Sequence, residues 1–283
     1  MPLIESAGVS IDVREHSPAV RGNPHVILVH GYPDQQDMWL PVVSALEPER
    51  FHLVTYDVRG SGGSGTPSSR DGYRTELLVE DLVAVVESTV PDGEPFHLVG
   101  HDWGSVQLWD VVAAEKKDAR ISGRIASYTS ISGPSLDHVA YLSRHRRGRG
   151  VRMLKQGAHS WYVYAFHLPV VPELLWRSGV LAKLAGADHF DDQLTRSGVN
   201  GLNLYRANFF RRMRHPGKLS TDVPVQVVHP TRDPFVTEVM LDDLDVACSQ
   251  VTIVKIDAGH WVPRSRTAEV AKLIGEHVAR HST

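Results

Sequence analysis

Gly100-His101-Asp102-Trp103-Gly104 is the stretch that decides how this chain folds. It follows the apolar run Phe96-His97-Leu98-Val99 and leads into the helical pattern Ser105 to Ala114. Two small residues flanking a polar centre at a strand-to-helix corner make a nucleophile elbow. The glycines allow a sharp turn, and the central side chain is pushed into the open. That centre usually carries serine; here it is Asp102. A helix N-cap is the competing local role for Asp102, but capping requires neither the flanking glycines nor the upstream strand.

The change from serine to aspartate changes the reaction class. A carboxylate attacking an acyl carbon would leave an anhydride. It is better suited to displacement at a saturated carbon, which gives an alkyl ester that water then cleaves. The second step needs a base to activate water, an acid to orient that base, and donors for the oxyanion that forms on the aspartyl carbonyl.

Outward from the elbow, strands alternate with helices. His25-Val26-Ile27-Leu28-Val29 and Phe51-His52-Leu53-Val54-Thr55-Tyr56 read as buried strands, Thr75 to Val90 as an amphipathic helix, and Ile125 to Ile131 as a further strand. Pro224 to Val228 and Val251 to Ile256 resume the strand pattern, and Thr267 to Arg280 closes it as a helix. This order predicts an α/β fold, a mostly parallel sheet flanked by helices. Between Pro134 and about residue 217 the alternation stops and helical stretches take over. The expected organisation is therefore a core of residues 1–133 and 218–283, with a helical cap at 134–217 inserted after the sixth strand.

Three further stretches fit the required chemistry. His260, in Asp257-Ala258-Gly259-His260-Trp261, lies just after the last strand and is the expected base. Asp233, in Pro230-Thr231-Arg232-Asp233-Pro234, follows the strand before it and is the expected orienting acid, with a plain turn before proline as its competitor. His30-Gly31-Tyr32-Pro33 follows the strand at 25–29, where an oxyanion loop belongs, so the backbone N–H groups of Tyr32 and Trp103 are the expected donors. The order of nucleophile, acid and histidine along the chain is that of α/β-hydrolases.

With these residues the chain resembles the α/β-hydrolase fold epoxide hydrolases over nearly its whole length. The resemblance implies hydrolysis of an epoxide to a vicinal diol through a covalent ester on Asp102. It also implies two cap tyrosines that give protons to the epoxide oxygen. Gly201-Leu202-Asn203-Leu204-Tyr205-Arg206-Ala207-Asn208 looks like the stretch with the second of these, Tyr205. Trp161-Tyr162-Val163-Tyr164-Ala165-Phe166 looks like the first, with Tyr162 the better fit in spacing and Tyr164 its competitor. An epoxide opens to an alkoxide, a poor leaving group, so acid assistance from tyrosyl O–H groups in a dry site is chemically apt. Haloalkane dehalogenases share the Asp-His-acid machinery, but that family usually has asparagine where this chain has Tyr32 and lacks the paired tyrosines. A catalytically silent binding module is the third reading. A finer resemblance, on Tyr128-Thr129-Ser130-Ile131-Ser132-Gly133-Pro134-Ser135-Leu136-Asp137-His138, is to the hydrolase module of actinobacterial proteins that join it to a short-chain dehydrogenase module.

Composition bounds the rest. At 42% hydrophobic and 22% charged, the chain has apolar material for a large core, which excludes a disordered or collagen-like protein. A single cysteine, Cys248, excludes an internal disulfide framework and fits a reducing compartment. The start, Met1-Pro2-Leu3-Ile4-Glu5-Ser6, shows no secretory leader, and no apolar run approaches bilayer length, so a cytoplasmic location is expected. Neither cofactor nor metal is expected. Gly60-x-Gly62-x-x-Gly65 matches a dinucleotide fingerprint, but Thr66-Pro67-Ser68 follows, so no helix opens there to receive a pyrophosphate, and no histidine pair has ligand spacing on a convincing helix. The net charge of −3 suggests no nucleic-acid partner, but it is unevenly spread: residues 134–217 hold 13 Lys and Arg against 5 Asp and Glu. Arg144-His145-Arg146-Arg147-Gly148-Arg149 and Arg211-Arg212-Met213-Arg214 read either as a solvated face or, more sharply, as a peripheral contact with anionic membrane and a lipid-like substrate.

Overall fold

Two strands that the sequence reading passed over open the chain: β1 (Leu3–Ser6) and β2 (Val9–Glu15), paired antiparallel. In β2 the alternate residues Val9, Ile11 and Val13 are buried, the period-two pattern of a strand with one wet face. The structure, a computed structural model, describes residues 3–47, 50–145, 147–184 and 192–282. Next come β3 (His25–Val29), α1 (Leu40–Ala45), β4 (His52–Tyr56), α2 (Thr75–Thr89), β5 (Phe96–His101), α3 (Trp103–Ala114) and β6 (Ile125–Ile131). Six helices follow: α4 (Leu136–Arg144), α5 (Gly150–His159), α6 (Trp161–Phe166), α7 (Val171–Arg177), α8 (Val180–Leu184) and α9 (Asp192–Arg214). The chain then returns to the sheet through β7 (Val225–Pro230), α10 (Leu244–Ala247), β8 (Val251–Ile256), α11 (Val262–Ser265) and α12 (Thr267–His281). None of the described residues between β6 and β7 forms a strand of the sheet.

The strands lie in the order β1-β2-β4-β3-β5-β6-β7-β8, parallel from β4 to β8, with β2 antiparallel to β4. This is the α/β-hydrolase fold. The central strands read as continuous apolar runs because both faces are covered. In β3, Ile27 and Val29 pack toward Leu82 and Val85 of α2 and Trp109 of α3, whereas Val26 and Leu28 pack toward Val42 of α1 and Ile274 of α12. From β3 the chain steps to β4 on one side and later to β5 on the other. The carboxyl ends of β3 and β5 therefore flank a topological switch point, the crevice where open α/β sheets bind ligands.

At the elbow, two boundaries differ from the sequence reading. The strand at 96–99 runs on through His101, and the helix expected from Ser105 begins at Trp103. The corner is a single residue, Asp102, because close packing leaves no room for a longer turn.

The helical insertion is pinned to the core along α9. Asn208 is buried; its side-chain oxygen accepts the N–H of Thr75 at the start of α2 (3.0 Å), and its amide donates to the carbonyl of Tyr73 (2.8 Å). Arg196 donates to the carbonyls of Gly62 and Ser64, and Asn200 to that of Gly60 (2.8–2.9 Å). The glycine-rich stretch 60–65 thus serves as a backbone dock for α9. Three of the basic residues noted in the sequence also lie in this seam. Arg211 pairs with Glu76 and Arg212 with Asp110 and Asp137, while Arg149 pairs with Asp242 and Asp243. Arg144 donates to the carbonyls of Met213 and Arg214. Arg146 lies outside the described residues.

Candidate active site

Asp102 sits at φ +51°, ψ −123°, a region L-residues rarely occupy, between the last residue of β5 and the first of α3. The backbone strain of the elbow falls on the aspartate itself. The flanking glycines are needed for a different reason, close approach. A Cβ at Gly104 would lie 2.1 Å from the Val29 carbonyl oxygen, and one at Gly100 2.7 Å from Ser105. β5 and α3 can turn this tightly only because neither residue has a side chain. Behind the corner, the Ser105 hydroxyl meets Tyr128 (2.7 Å), Ser130 (2.8 Å) and the Gly133 carbonyl (2.7 Å), which ties the start of α3 to β6.

The Asp102 side chain makes no capping bond to α3. Instead its Oδ1 accepts the Tyr32 N–H (2.7 Å), and its Oδ2 lies 3.5 Å from His260 Nε2. The loop after β3 is held for this purpose by His30, whose Nδ1 donates to the Gly31 carbonyl (2.9 Å) and whose Nε2 accepts the Val58 N–H (3.0 Å). Trp103, the other expected donor, is the first residue of α3, where N–H groups lack partners within the helix.

His260 is buried, with Nδ1 donating to Asp233 Oδ2 at 2.9 Å. Asp233 serves both roles the sequence offered it. Its Oδ1 accepts the N–H groups of Phe235 (2.8 Å) and Val236 (3.1 Å), closing the turn, and its Oδ2 holds the histidine. Burial opposes its charge, but the adjoining His260 and these hydrogen bonds outweigh that and keep its carboxyl below the usual range. Burial likewise opposes the imidazolium. The carboxylates of Asp233 and Asp102 dominate, however, and push His260 up to about 10. The resting site therefore holds two carboxylates about one imidazolium.

Asp102 and His260 line a cavity of about 340 Å³ whose walls come largely from apolar side chains of the insertion. Tyr205 and Tyr162 line it too, packed edge to face with ring centroids 5.8 Å apart. Tyr164 is 58% exposed and packs on Phe210, so Tyr162 is the tyrosine of α6 that faces the cavity. Burial raises both Tyr162 and Tyr205 well above the ordinary tyrosine value, and the negative charge of Asp102 adds to it. Both hydroxyls stay protonated through the ordinary pH range. A second chamber of about 90 Å³ is bordered by the same Asp102, Tyr162 and Tyr205.

Several residues around the site carried no signal in the sequence. His101, the unspecified position of the elbow, donates Nε2–H to the His260 carbonyl (2.9 Å). Burial, with His260 beside it, lowers it to about 4, so it is neutral. Asp34 accepts from Trp261 Nε1 (3.1 Å) and pairs with Arg264, tying the loop after β3 to the segment after His260. Tyr32 contributes its ring as well as its N–H. Its hydroxyl donates to the Gly198 carbonyl (3.0 Å) and accepts from Trp176 Nε1 (2.5 Å), joining the core to α9 and α7. These contacts cross 144 residues of sequence or more, and only the sequence position of His101, beside the nucleophile, could have drawn attention to any of them. Among the described residues no group of His, Cys, Asp or Glu could hold a metal ion.

Comparison with known proteins agrees with this fold. Residues 24–149 match the family model described as the alpha/beta hydrolase fold. The chain is 34% identical over 271 residues to "Probable oxidoreductase EphD" of Mycobacterium tuberculosis, covering 89% of this chain but 45% of that protein. It is 27% identical to "Epoxide hydrolase A" of the same organism, with 97% and 95% of the two chains covered. The crystal structure of a mutant Bacillus megaterium epoxide hydrolase with its diol product superposes with a TM-score of 0.79 at 19% identity, over 98% of this chain and 100% of that one, a likeness of fold. The chain spans less than half the length of the EphD protein it matches.

Proposed function

We propose that this chain, which has the α/β-hydrolase fold and counts epoxide hydrolases among its relatives, hydrolyses an epoxide to a vicinal diol through an ester on Asp102. One observation carries the reading. A carboxylate with one oxygen already on a backbone N–H faces two protonated tyrosines, Tyr205 buried and Tyr162 half-buried, across a single apolar cavity. Asp102 Oδ2 attacks the epoxide carbon. The carbon–oxygen bond breaks with its electron pair on oxygen, which takes a proton from Tyr205 or Tyr162. Oδ1 becomes the ester carbonyl oxygen, still on the Tyr32 N–H.

Forming the ester removes one of the two carboxylates that hold His260 protonated. Its proton affinity falls, the Nε2 proton passes to the tyrosinate, and the freed Nε2, with Asp233 still on the other nitrogen, can take a proton from water. That water attacks the ester carbonyl, and the oxyanion forms against the N–H groups of Tyr32 and Trp103. The tetrahedral intermediate collapses and expels the diol oxygen, which receives the proton from His260. The water's second proton, freed as Asp102 regains its charge, returns to His260 and restores the imidazolium.

The larger apolar cavity and the smaller chamber on the shared tyrosine pair favour a lipid-like epoxide with two unequal arms. Turnover of an alkyl epoxide and of a bromoalkane by the wild type and by Asp102→Ala tests the reading. Diol without bromide, lost in the variant, is expected; bromide without diol would make the enzyme a dehalogenase and the tyrosines packing residues. In His260→Gln, intact mass should show the protein plus one epoxide, because the ester forms but is not cleaved. Normal turnover by that variant would remove His260 from the mechanism.

A further inference from the structure

Exposed large apolar side chains gather at the cavity mouth. Trp161, Leu168, Val171 and Leu175 line the cavity and are also exposed to solvent, Trp161 by 67%. Beside them, outside the cavity wall, stand Val170 (61% exposed) and Leu174 (56%). Surface loops normally take glycine or polar residues, and Leu168-Pro169-Val170-Val171-Pro172 contains neither. Val170 also sits at φ +67°, which a β-branched residue adopts only with strain. An exposed apolar collar of this kind marks an interaction surface.

Charge identifies the occupant. Residues 161–184, which carry the collar, contain two basic residues, Arg177 and Lys183, and one carboxylate, Glu173, itself paired with Arg206 at 2.6 Å. Arg177 at the end of α7 and Lys183 in α8 form no ion pair among the described residues. A second copy docked by two-fold symmetry on this face would bring like charges together. An anionic bilayer surface attracts them and accepts the apolar side chains. Of the basic residues flagged in the sequence, by contrast, Arg149, Arg211 and Arg212 are committed to the seam between insertion and core.

We infer that the collar of Trp161, Leu168, Val170, Val171, Leu174 and Leu175 seats on an anionic lipid surface, with the cavity mouth opening toward the acyl chains. An apolar molecule would then reach Asp102 without crossing bulk water. The lipid contact is independent of the reaction; only the delivery of substrate rests on the proposed epoxide hydrolysis.

Sedimentation with phosphatidylcholine vesicles, with and without phosphatidylglycerol, tests the contact on the wild type and on Val170→Asn/Leu174→Gln. Neither residue lines the cavity, and asparagine tolerates positive φ better than valine, so a thermal melt should show an intact fold. The wild type should bind the anionic vesicles more tightly than the neutral ones. The double variant should lose about tenfold or more of that partitioning. Its turnover of a vesicle-borne alkyl epoxide should fall in parallel, with a short water-soluble epoxide unaffected. Equal binding by both proteins, or wild-type binding to neither vesicle, would overturn the inference. So would a wild-type dimer that the double variant converts to monomer. Vesicle binding lost in the variant, with no epoxide hydrolysed even by the wild type, would uphold the surface and remove the reaction.

Discussion

At the residue scale, the elbow separates two properties that sequence motifs run together. Conformational strain lies on Asp102, whereas Gly104 is required by contact with the Val29 carbonyl. Gly104→Ala should therefore destabilise the fold by about 3 kcal/mol or more, since backbone on backbone cannot yield as a flexible side chain can. Gly259, next to the histidine, provides the control. A Cβ there meets nothing within 4 Å and its φ is not positive, so Gly259→Ala should stay within about 0.5 kcal/mol of wild type. Urea midpoints of the two variants measure the contrast.

At the element scale, α9 is the part that makes the site possible. Along one side of this helix, Gly201 admits the Tyr32 ring, Tyr205 faces the cavity and Asn208 grips the start of α2, spaced as a helix face requires. Asn208→Ala would leave the Thr75 N–H and the Tyr73 carbonyl buried without that partner. The expected cost is about 2–3 kcal/mol in chemical denaturation. If Tyr205 works as proposed, diol formation should fall as well, because the same helix sets its position. A variant with unchanged stability would mean that these bonds do not hold the insertion.

At the scale of the whole molecule, buried histidines set how stability responds to pH, and they act in opposite directions. Burial lowers His97 to about 3, His101 to about 4 and His277 to about 4. Below the ordinary value of 6.5 the unfolded chain binds protons at these positions that the folded chain refuses. Stability should therefore fall as pH drops from about 6.5 toward 4, by up to about 1.4 kcal/mol per unit for each group. His260 has the reverse sign. Its folded value lies near 10, so its contribution is complete below about 6.5 and is lost as pH rises toward 10. Denaturation midpoints should peak near neutrality, and His260→Gln should flatten the alkaline limb while leaving the acidic one.

Sequence alone determined the features that depend on local order. The strand and helix periods, the elbow and the loops after the third, seventh and eighth strands fixed the fold and placed Asp102, Asp233 and His260 at strand ends, because such signals lie within a few residues of one another. It missed β1 and β2, whose alternation is short and whose sheet edge is half wet. Tertiary structure decided what depends on residues far apart. It decided that Tyr162 and not Tyr164 turns inward, that Asp233 divides its two oxygens between turn and histidine, and that His101 holds His260. It also committed Arg149, Arg211 and Arg212 to the seam and left the apolar collar open. Periodicity states which residues share a face; only packing against distant elements decides which face is covered and which charge finds a partner.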